Sequence, residues 1–237
     1  MTAMGNITVT LSANAGIAIQ IAGKRIWVDA LHSRKAAGFS TVSPELLDKV
    51  LEEPAFQAPD AICYTHCHWD HFSREQTKLA LARWPEARVI LPERHFPGQL
   101  LLEGQQPEFS LGNVTLRFLR LPHEGARYAD TVHYGLLIRS PEGSVLVSGD
   151  CAVAAPELAQ ALEGIELEAA ILDFPWLTLS RGRAFAERLQ AKRILLYHLP
   201  FPEDDANGYR QSAARAAERW PRGNASLLWE PLQSVSI

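Results

Sequence analysis

The segment Thr65-His66-Cys67-His68-Trp69-Asp70-His71 concentrates side chains that bind metal ions. Three imidazoles and one carboxylate lie within six residues, 66–71. Imidazole and carboxylate are natural ligands for zinc and related divalent ions. The alternative is a histidine-rich surface loop. Expression tags have that composition, but they are terminal and do not follow an apolar strand. We therefore interpret the segment as a metal site.

This segment lies between a predicted strand and a predicted helix, an arrangement that can bring its side chains to one side of the chain. An apolar strand over residues 60–64 precedes it, and a helix from about Ser73 to Trp84 follows. The first two histidines are two residues apart, so in an extended chain they point to the same side. Cys67, between them, points to the other side. As the chain turns toward the helix, the aspartate and the third histidine can reach the side of the first two.

Three more residues of ligand type follow predicted strands. His123 follows the strand Val114 to Leu121, Asp150 follows residues 145–148, and His198 follows residues 193–197. Open α/β sheets place their sites at the carboxyl ends of strands. Any one of these residues alone is usually a cap or a solvated side chain. All three together, after the cluster at 66–71, favour one shared site.

The pattern of the whole chain predicts two sheets packed face to face with helices outside. Residues 7–12 alternate apolar and polar side chains, as in a half-buried strand. A helix is predicted from Pro44 to Glu53, with Ser43 as its N-cap. From residue 156 onward strands and helices alternate, with helices at about 156–163, 182–190 and 206–219. No linker divides the chain, so we expect one domain over 1–237.

Composition narrows the class of protein. The chain has 237 residues, of which 47% are hydrophobic, and a formal charge of −4. This is ordinary globular composition, and no apolar run reaches the roughly 20 residues of a membrane span. The acidic balance does not indicate nucleic-acid binding. Three cysteines without a C-x-x-C pair, and a start lacking a basic and an apolar region, predict a cytoplasmic protein with reduced thiols.

The order of the candidate ligands resembles the metallo-β-lactamase superfamily. Its pattern is H-x-H-x-D-H, then a histidine, an aspartate and a histidine. This chain matches at His66, His68, Asp70, His71, His123, Asp150 and His198. Asp29, at the end of an early strand, matches the first conserved acid of the family. The resemblance implies a four-layer αββα sandwich of the α/β (α+β) class with a dinuclear metal site at the sheet edges.

The resemblance also implies a role for each ligand. His66, His68 and His123 would hold the first metal. Asp70, His71 and His198 would hold the second, with Asp150 bridging the two. Asp29 would orient a ligand histidine from behind. Two divalent ions per chain are expected, zinc first, while manganese and iron are compatible with a mixed set of histidine and aspartate.

The chemistry expected of such a centre is hydrolysis. A water molecule bridging two divalent ions loses a proton near neutral pH, and the ions polarise a carbonyl or phosphoryl oxygen. Asp70 and Asp150 would be the catalytic carboxylates. The expected substrate is a small molecule with an ester, lactone or phosphodiester bond. The alternative is a non-catalytic, regulatory member of the fold, but such members usually lose ligands and this chain keeps every one.

Several branches of the superfamily are disfavoured by particular residues. Diiron oxidoreductases have Glu where this chain has His68, and secreted β-lactamases of the commonest type have Cys in place of Asp150. Glyoxalase II-like enzymes add a helical domain, for which the 39 residues after His198 are too few. A tRNA-processing nuclease would carry a basic arm. The stretch 70–73 and residues 87–92 resemble ascorbate-6-phosphate lactonases and small phosphodiesterases.

Four residues are candidates for substrate contact. His32 lies in a basic loop at 30–43, which is either an anion site or simply solvated. Trp176 and Arg181 lie between a strand end and a helix. Trp176 would line the pocket and Arg181 would bind an anion, or else the two residues belong to the start of the helix. His133 lies in a strand, facing either the site, as a general acid, or the core.

Overall fold

Two mixed β-sheets form the centre of the computed structural model, which describes residues 7–36 and 38–237. The strands are β1 (Thr8–Leu11), β2 (Ile17–Ile21), β3 (Lys24–Val28), β4 (Ala61–Cys63), β5 (Arg88–Leu91), β6 (Leu100–Leu101), β7 (Glu108–Leu111), β8 (Val114–Arg120), β9 (Tyr134–Ser140), β10 (Gly143–Val147), β11 (Leu167–Asp173), β12 (Ala191–Tyr197), β13 (Ala225–Leu227) and β14 (Ser234–Ser236). The α-helices are α1 (Pro44–Glu52), α2 (Arg74–Arg83), α3 (Pro156–Ala161), α4 (Pro175–Thr178), α5 (Ser180–Ala186) and α6 (Tyr209–Glu218).

Each sheet has seven strands and changes from antiparallel to parallel pairing partway across. The first sheet has the order β14-β1-β2-β3-β4-β5-β6, and its strands are parallel from β3 to β6. The second has the order β13-β12-β11-β10-β9-β8-β7, with β10 to β13 parallel. In the parallel parts, the carboxyl ends of neighbouring strands meet at one edge of the sheet, where the chain leaves for a loop or helix.

Three apolar clusters define four layers. The largest joins the inner faces of both sheets, with Ile19 and Ile26 from the first sheet packed in the same core as Leu136 and Ile171 from the second. A second cluster packs α3, α5 and α6 on the outer face of the second sheet. A third packs α1 and α2 on the outer face of the first sheet. The predicted αββα sandwich is therefore confirmed.

The predicted start of α1 is confirmed, and two other helix boundaries differ from prediction. The Ser43 hydroxyl accepts a hydrogen bond from Leu46 N (3.2 Å), as expected of an N-cap. Helix α6 begins at Tyr209 rather than 206, after Gly208 in a left-handed conformation. The carboxylate of Asp205 accepts hydrogen bonds from the first two amides of α6. The helix predicted at 182–190 ends at Ala186 and is preceded by the short α4.

Strands β6, β7 and β14 were not predicted. They are two to four residues long and lie at or next to sheet edges, so their sequences carry too few alternations to register as strands. None of the helices in residues 7–36 and 38–237 is long and apolar enough to cross a membrane.

Candidate metal centre

The predicted ligands meet where strands of both sheets end. Asp29 follows β3 directly and His198 follows β12 directly, and the other predicted ligands lie three to eight residues past β4, β8 and β10. All of them except His68 are buried. Because these strands end at the same place in the fold, side chains up to 169 residues apart in sequence, from Asp29 to His198, lie close together.

One group of three imidazoles lies on the side of β4 and β8. The ring centroids of His66, His68 and His123 are 4.5, 4.9 and 4.8 Å apart, so the three rings form a nearly equilateral triangle. One nitrogen of each lies within 4.8 Å of the others. This is the donor set and spacing of a three-histidine metal site.

A second group lies beside the first, nearer β12. Asp70, His71 and His198 place one donor atom each within 4.8 Å of one another. The carboxylate of Asp70 is 3.7 Å from His198 Nε2. The ring centroids of His66 and His71 are only 4.1 Å apart, so the two groups are contiguous.

Asp150 lies between the two groups. Its Oδ2 is 3.2 Å from His71 Nε2 and 3.7 Å from His123 Nε2, while its Oδ1 is 3.5 Å from His198 Nδ1. It thus contacts an imidazole of the first group and two of the second. This is the position that a bridging carboxylate requires.

Asp29 lies behind both groups and fixes the orientation of one histidine in each. It accepts hydrogen bonds from His71 Nδ1 (2.9 Å) and from the Thr65 hydroxyl (2.6 Å). That hydroxyl is in turn 2.9 Å from His66 Nδ1. Because Nδ1 of both imidazoles is engaged at the back, both direct Nε2 toward the centre. Thr65 was not singled out by sequence, since a threonine carries no ligand signature.

The pKa values of the histidines of the centre shift in opposite directions, upward where carboxylates are close and downward where burial dominates. Burial disfavours the charged form of His71, but the carboxylates of Asp150 and Asp29 outweigh it and raise its pKa well above its usual value. In the same way Asp150 and Asp173 raise the pKa of His198 to about 10. Burial lowers the pKa of His66 and of His123. An ion entering the second group therefore has to displace protons from His71 and His198.

Five buried polar atoms of the centre have no hydrogen-bond partner among the described residues. They are Nε2 of His66, His71, His123 and His198, and Oδ1 of Asp150. Buried polar groups are nearly always paired, because an unpaired one costs about 1–3 kcal/mol. Five such atoms within two contiguous groups fit bound divalent ions, for which the mixed imidazole and carboxylate set is suitable.

Unusual backbone conformations hold the side chains in place. Asp29 and His198 have φ of 51° and 58°, a left-handed region that non-glycine residues seldom occupy and that is often found at functional sites. Gly149, directly before Asp150, has φ of 55°. A Cβ on Gly149 would lie 2.6 Å from His133 Nε2 and 3.0 Å from Thr65 Cβ, so this position has room only for glycine.

The centre forms the floor of an open cleft of about 510 Å³. Aromatic rings of Phe39, Trp69, Tyr128 and Phe174 form much of its wall. Phe39 stacks on His198 with centroids 4.5 Å apart, and Tyr128 lies 5.0 Å from His68 and 4.7 Å from His123. Sequence reasoning missed Phe39 and Tyr128, because isolated aromatic residues in loops do not reveal what they face.

Asp173 is a further carboxylate of the site that sequence reasoning missed. It is the last residue of β11, and its Oδ1 lies 3.2 Å from His198 Nδ1. Burial raises its pKa to about 6, against the opposing effect of His198. The signal that identified Asp150 and His198, a polar residue ending an apolar strand, applies equally to Asp173.

Two predicted substrate residues, His32 and His133, lie outside the cleft lining. His32 is fully buried, with Nε2 bonded to Ala13 O (3.1 Å), and burial lowers its pKa to about 4. It is a neutral residue that holds its loop, so neither an anion site nor a solvated position describes it. His133 is buried behind His66, with ring centroids 5.2 Å apart. Burial lowers its pKa to about 3, so it does not fit the role of general acid.

The other two, Trp176 and Arg181, lie in the first turns of α4 and α5, which is the helix-start alternative of the prediction rather than a wall of the pocket. Trp176 is fully buried among the helices outside the second sheet, with Phe185 against its ring, and does not wall the cleft. Arg181 is exposed and forms an ion pair with Glu124. Of this pair, Glu124 lines the cleft, whereas Arg181 lies outside the lining.

The sequence matches the beta-lactamase superfamily domain over residues 24–199. This range is most of the chain and includes every predicted ligand from Asp29 to His198. The chain therefore belongs to the beta-lactamase superfamily. No protein of curated function is similar enough in sequence to count as a relative.

Solved structures with the same fold carry several activities. The chain is similar to a possible metal-dependent hydrolase from Veillonella parvula (16% identity, 99% of this chain and 100% of that one, TM-score 0.69). It is similar to isothiocyanate hydrolase from Delia radicum gut bacteria (16%, 97% and 99%, TM-score 0.70). It is also similar to CmlA, a diiron beta-hydroxylase from Streptomyces venezuelae (15%, 98% and 54%, TM-score 0.66). At these identities the likeness shows the fold alone.

Proposed function

We propose that this protein is a dinuclear metal-dependent hydrolase of small esters, lactones or phosphodiesters. The observation that carries the proposal is that five ligand atoms without a hydrogen-bond partner among the described residues lie in two contiguous groups, and residues of both groups line an open cleft. A binding role alone does not need this placement, because a structural metal site is closed by protein whereas a catalytic one leaves room for substrate. His68, an imidazole within the first group, favours hydrolysis over the oxidative chemistry of the fold.

Bound divalent ions would acidify a water molecule and polarise the substrate oxygen. The chain's own residues supply the rest. Asp29 and Thr65 hold His66 and His71 with Nε2 facing the cleft, and Asp150 sets the spacing of the two groups. The burial of these side chains keeps bulk water away from all but the open face of the centre. Electrostatic interactions are stronger in such a site than in water.

The cleft wall supports a substrate that combines an apolar part with an anionic or polar reacting group. Phe39 and Tyr128 flank the histidines and offer ring faces, while the exposed Arg127 lies over Tyr128 at 4.5 Å. Aromatic side chains contribute most of the contact energy in small-molecule sites. Arg127 is placed to pair with a phosphate or carboxylate at the mouth of the cleft.

The test is turnover by protein reconstituted separately with zinc, manganese and iron. The substrates are bis(p-nitrophenyl) phosphate, p-nitrophenyl acetate, an aromatic lactone and benzyl isothiocyanate, the last because one structural neighbour is an isothiocyanate hydrolase. We expect metal-dependent hydrolysis of at least one of the first three, with zinc the most effective ion, whereas hydrolysis of the isothiocyanate alone would contradict the proposed substrate class. If the phosphodiester is the one hydrolysed, Arg127→Ala should raise KM more than it lowers kcat.

Absence of turnover with every substrate, from protein shown to be fully loaded with metal, would overturn the hydrolase proposal. It would favour the alternative of a non-catalytic, regulatory member. Turnover that persists after chelation and removal of the metal would contradict the proposal in a different way, because the reaction would then not depend on the centre.

A further inference from the structure

A separate group of metal-binding side chains lies next to the ligand segment. Cys67 Sγ, a carboxylate oxygen of Glu93 and a ring nitrogen of His95 all lie within 4.8 Å of one another. None of the three belongs to the two groups of the metal centre. Cys67 lies between His66 and His68 in sequence, but its sulfur belongs to a different set of donors, as the alternation of an extended chain requires.

One of the three donor pairs has a spacing close to that around a bound zinc ion, and the sulfur lies within 4.8 Å of both of its members. With bonds of about 2.0–2.3 Å, a tetrahedral ion places its donor atoms roughly 3.3–3.7 Å apart. The observed distance between His95 Nε2 and Glu93 Oε2 is 3.8 Å. A contraction of a few tenths of an ångström would bring these two donors to the spacing around zinc, and Cys67 Sγ would complete the site from within 4.8 Å. Thiolate, imidazole and carboxylate together are a zinc donor set rather than a magnesium or calcium one.

Side-chain contacts made by the loop that carries Glu93 and His95 fix its shape. The side chain of Gln99 accepts hydrogen bonds from His95 N (2.7 Å) and Phe96 N (2.8 Å) and donates one to Glu93 O (2.7 Å). The ring of Phe72 packs against His95 with centroids 4.6 Å apart. The donors are therefore positioned in advance, which reduces the entropic cost of binding.

The state of His95 points to a ligand. Its Nε2 is buried and has no hydrogen-bond partner among the described residues, although it faces the Glu93 carboxylate. A buried ring nitrogen without a partner is uncommon. The Glu93 side chain is 55% exposed, so an ion can reach this group of donors from solvent.

We propose that Cys67, Glu93 and His95 form a third metal site, selective for zinc or a similar thiolate-binding ion, outside the dinuclear centre. A bound ion would link the loop at 92–99 to the segment that carries His66 and His68. The ion would stiffen that segment through its bond to Cys67. This proposal is independent of the proposed hydrolytic function.

Cobalt absorption tests the proposal, because only a thiolate ligand gives Co²⁺ an intense near-ultraviolet charge-transfer band. The dinuclear centre contains no sulfur ligand, so the band reports the third site alone. We expect the band to develop when metal-free protein is titrated with Co²⁺, with a total near three equivalents per chain. Zinc added afterwards should abolish it.

Variants assign the band to this site. Cys67→Ser should remove it and reduce the stoichiometry to two, whereas the control Cys151→Ala, at another buried thiol, should keep it. His95→Ala should weaken the Co²⁺ affinity measured from this band at least tenfold. Because His95 lies in a surface loop, this variant tests the site even if the Cys67 variant fails to fold. Absence of the band at saturating Co²⁺, or its persistence in folded Cys67→Ser protein, would overturn the proposal.

Discussion

Asp150→Asn should reduce kcat by about 1,000-fold or more while the protein stays folded. Asp150 contacts His123 from one group of ligands and His71 and His198 from the other. A metal centre contributes several kcal/mol of transition-state stabilisation, and each ~1.4 kcal/mol is a factor of ten in rate. The amide keeps the shape of the carboxylate but removes the negative charge that the two sites share.

The measurement is steady-state hydrolysis of whichever test substrate is turned over, together with metal content and thermal unfolding of the variant. Asp48→Asn is the matched control, because Asp48 is exposed on α1, lies outside the cleft lining and loses the same charge. The control should retain full activity. Wild-type kcat in Asp150→Asn protein would remove the bridging role of Asp150, even if hydrolysis itself were real.

Gly149→Ala should lower the free energy of unfolding by about 2–5 kcal/mol and weaken metal binding as well. The left-handed backbone at φ 55° costs an alanine about 1–2 kcal/mol. The added methyl also collides with His133 Nε2 at 2.6 Å and with Thr65 at 3.0 Å, and overpacking of this kind costs typically ~1–3 kcal/mol. Displacing Thr65 would disturb its bonds to Asp29 and His66, so the effect should reach the ligands.

Gly164→Ala separates the two causes. Gly164 also has a left-handed backbone, with φ of 73°, but no atom lies within 4 Å of where its Cβ would be. It should therefore show the backbone cost alone, about 1–2 kcal/mol, with unchanged metal affinity. Urea unfolding of metal-free protein measures the first effect, and metal titration the second. Equal destabilisation by the two substitutions would show that the contacts behind Gly149 do not matter.

The fold, and the convergence of seven side chains of ligand type, could be predicted because both follow from patterns in the sequence itself. That these seven side chains bind metal ions stays a prediction. Each ligand directly follows or closely trails an apolar strand, and strand ends in this architecture share an edge. The order and spacing of His66 to His198 carry the superfamily pattern, which the match over residues 24–199 supports. Helix starts such as Ser43 were predictable because capping is local, whereas the two-residue strand β6 was not.

The substrate residues were not predictable, because their placement depends on how loops fold over the centre. A tryptophan at the start of a helix can face either a cleft or a core, and Trp176 faces the core. His32 lies close in sequence to exposed Arg34 and Lys35, yet it is completely buried. Conversely, Phe39 and Tyr128 belong to ordinary loop sequences and become part of the site only through tertiary contacts.

The central claim is that the two ligand groups hold two metal ions joined by Asp150. Anomalous diffraction at the zinc edge, from crystals of zinc-saturated protein, tests it most directly. The account predicts two strong peaks in the cleft, one bonded to His66, His68 and His123 and the other to Asp70, His71 and His198. Asp150 should contact both. A single peak at these two groups of ligands at saturation, or two peaks there that both leave Asp150 uncoordinated, would contradict the account, whatever the occupancy of the separate site at Cys67.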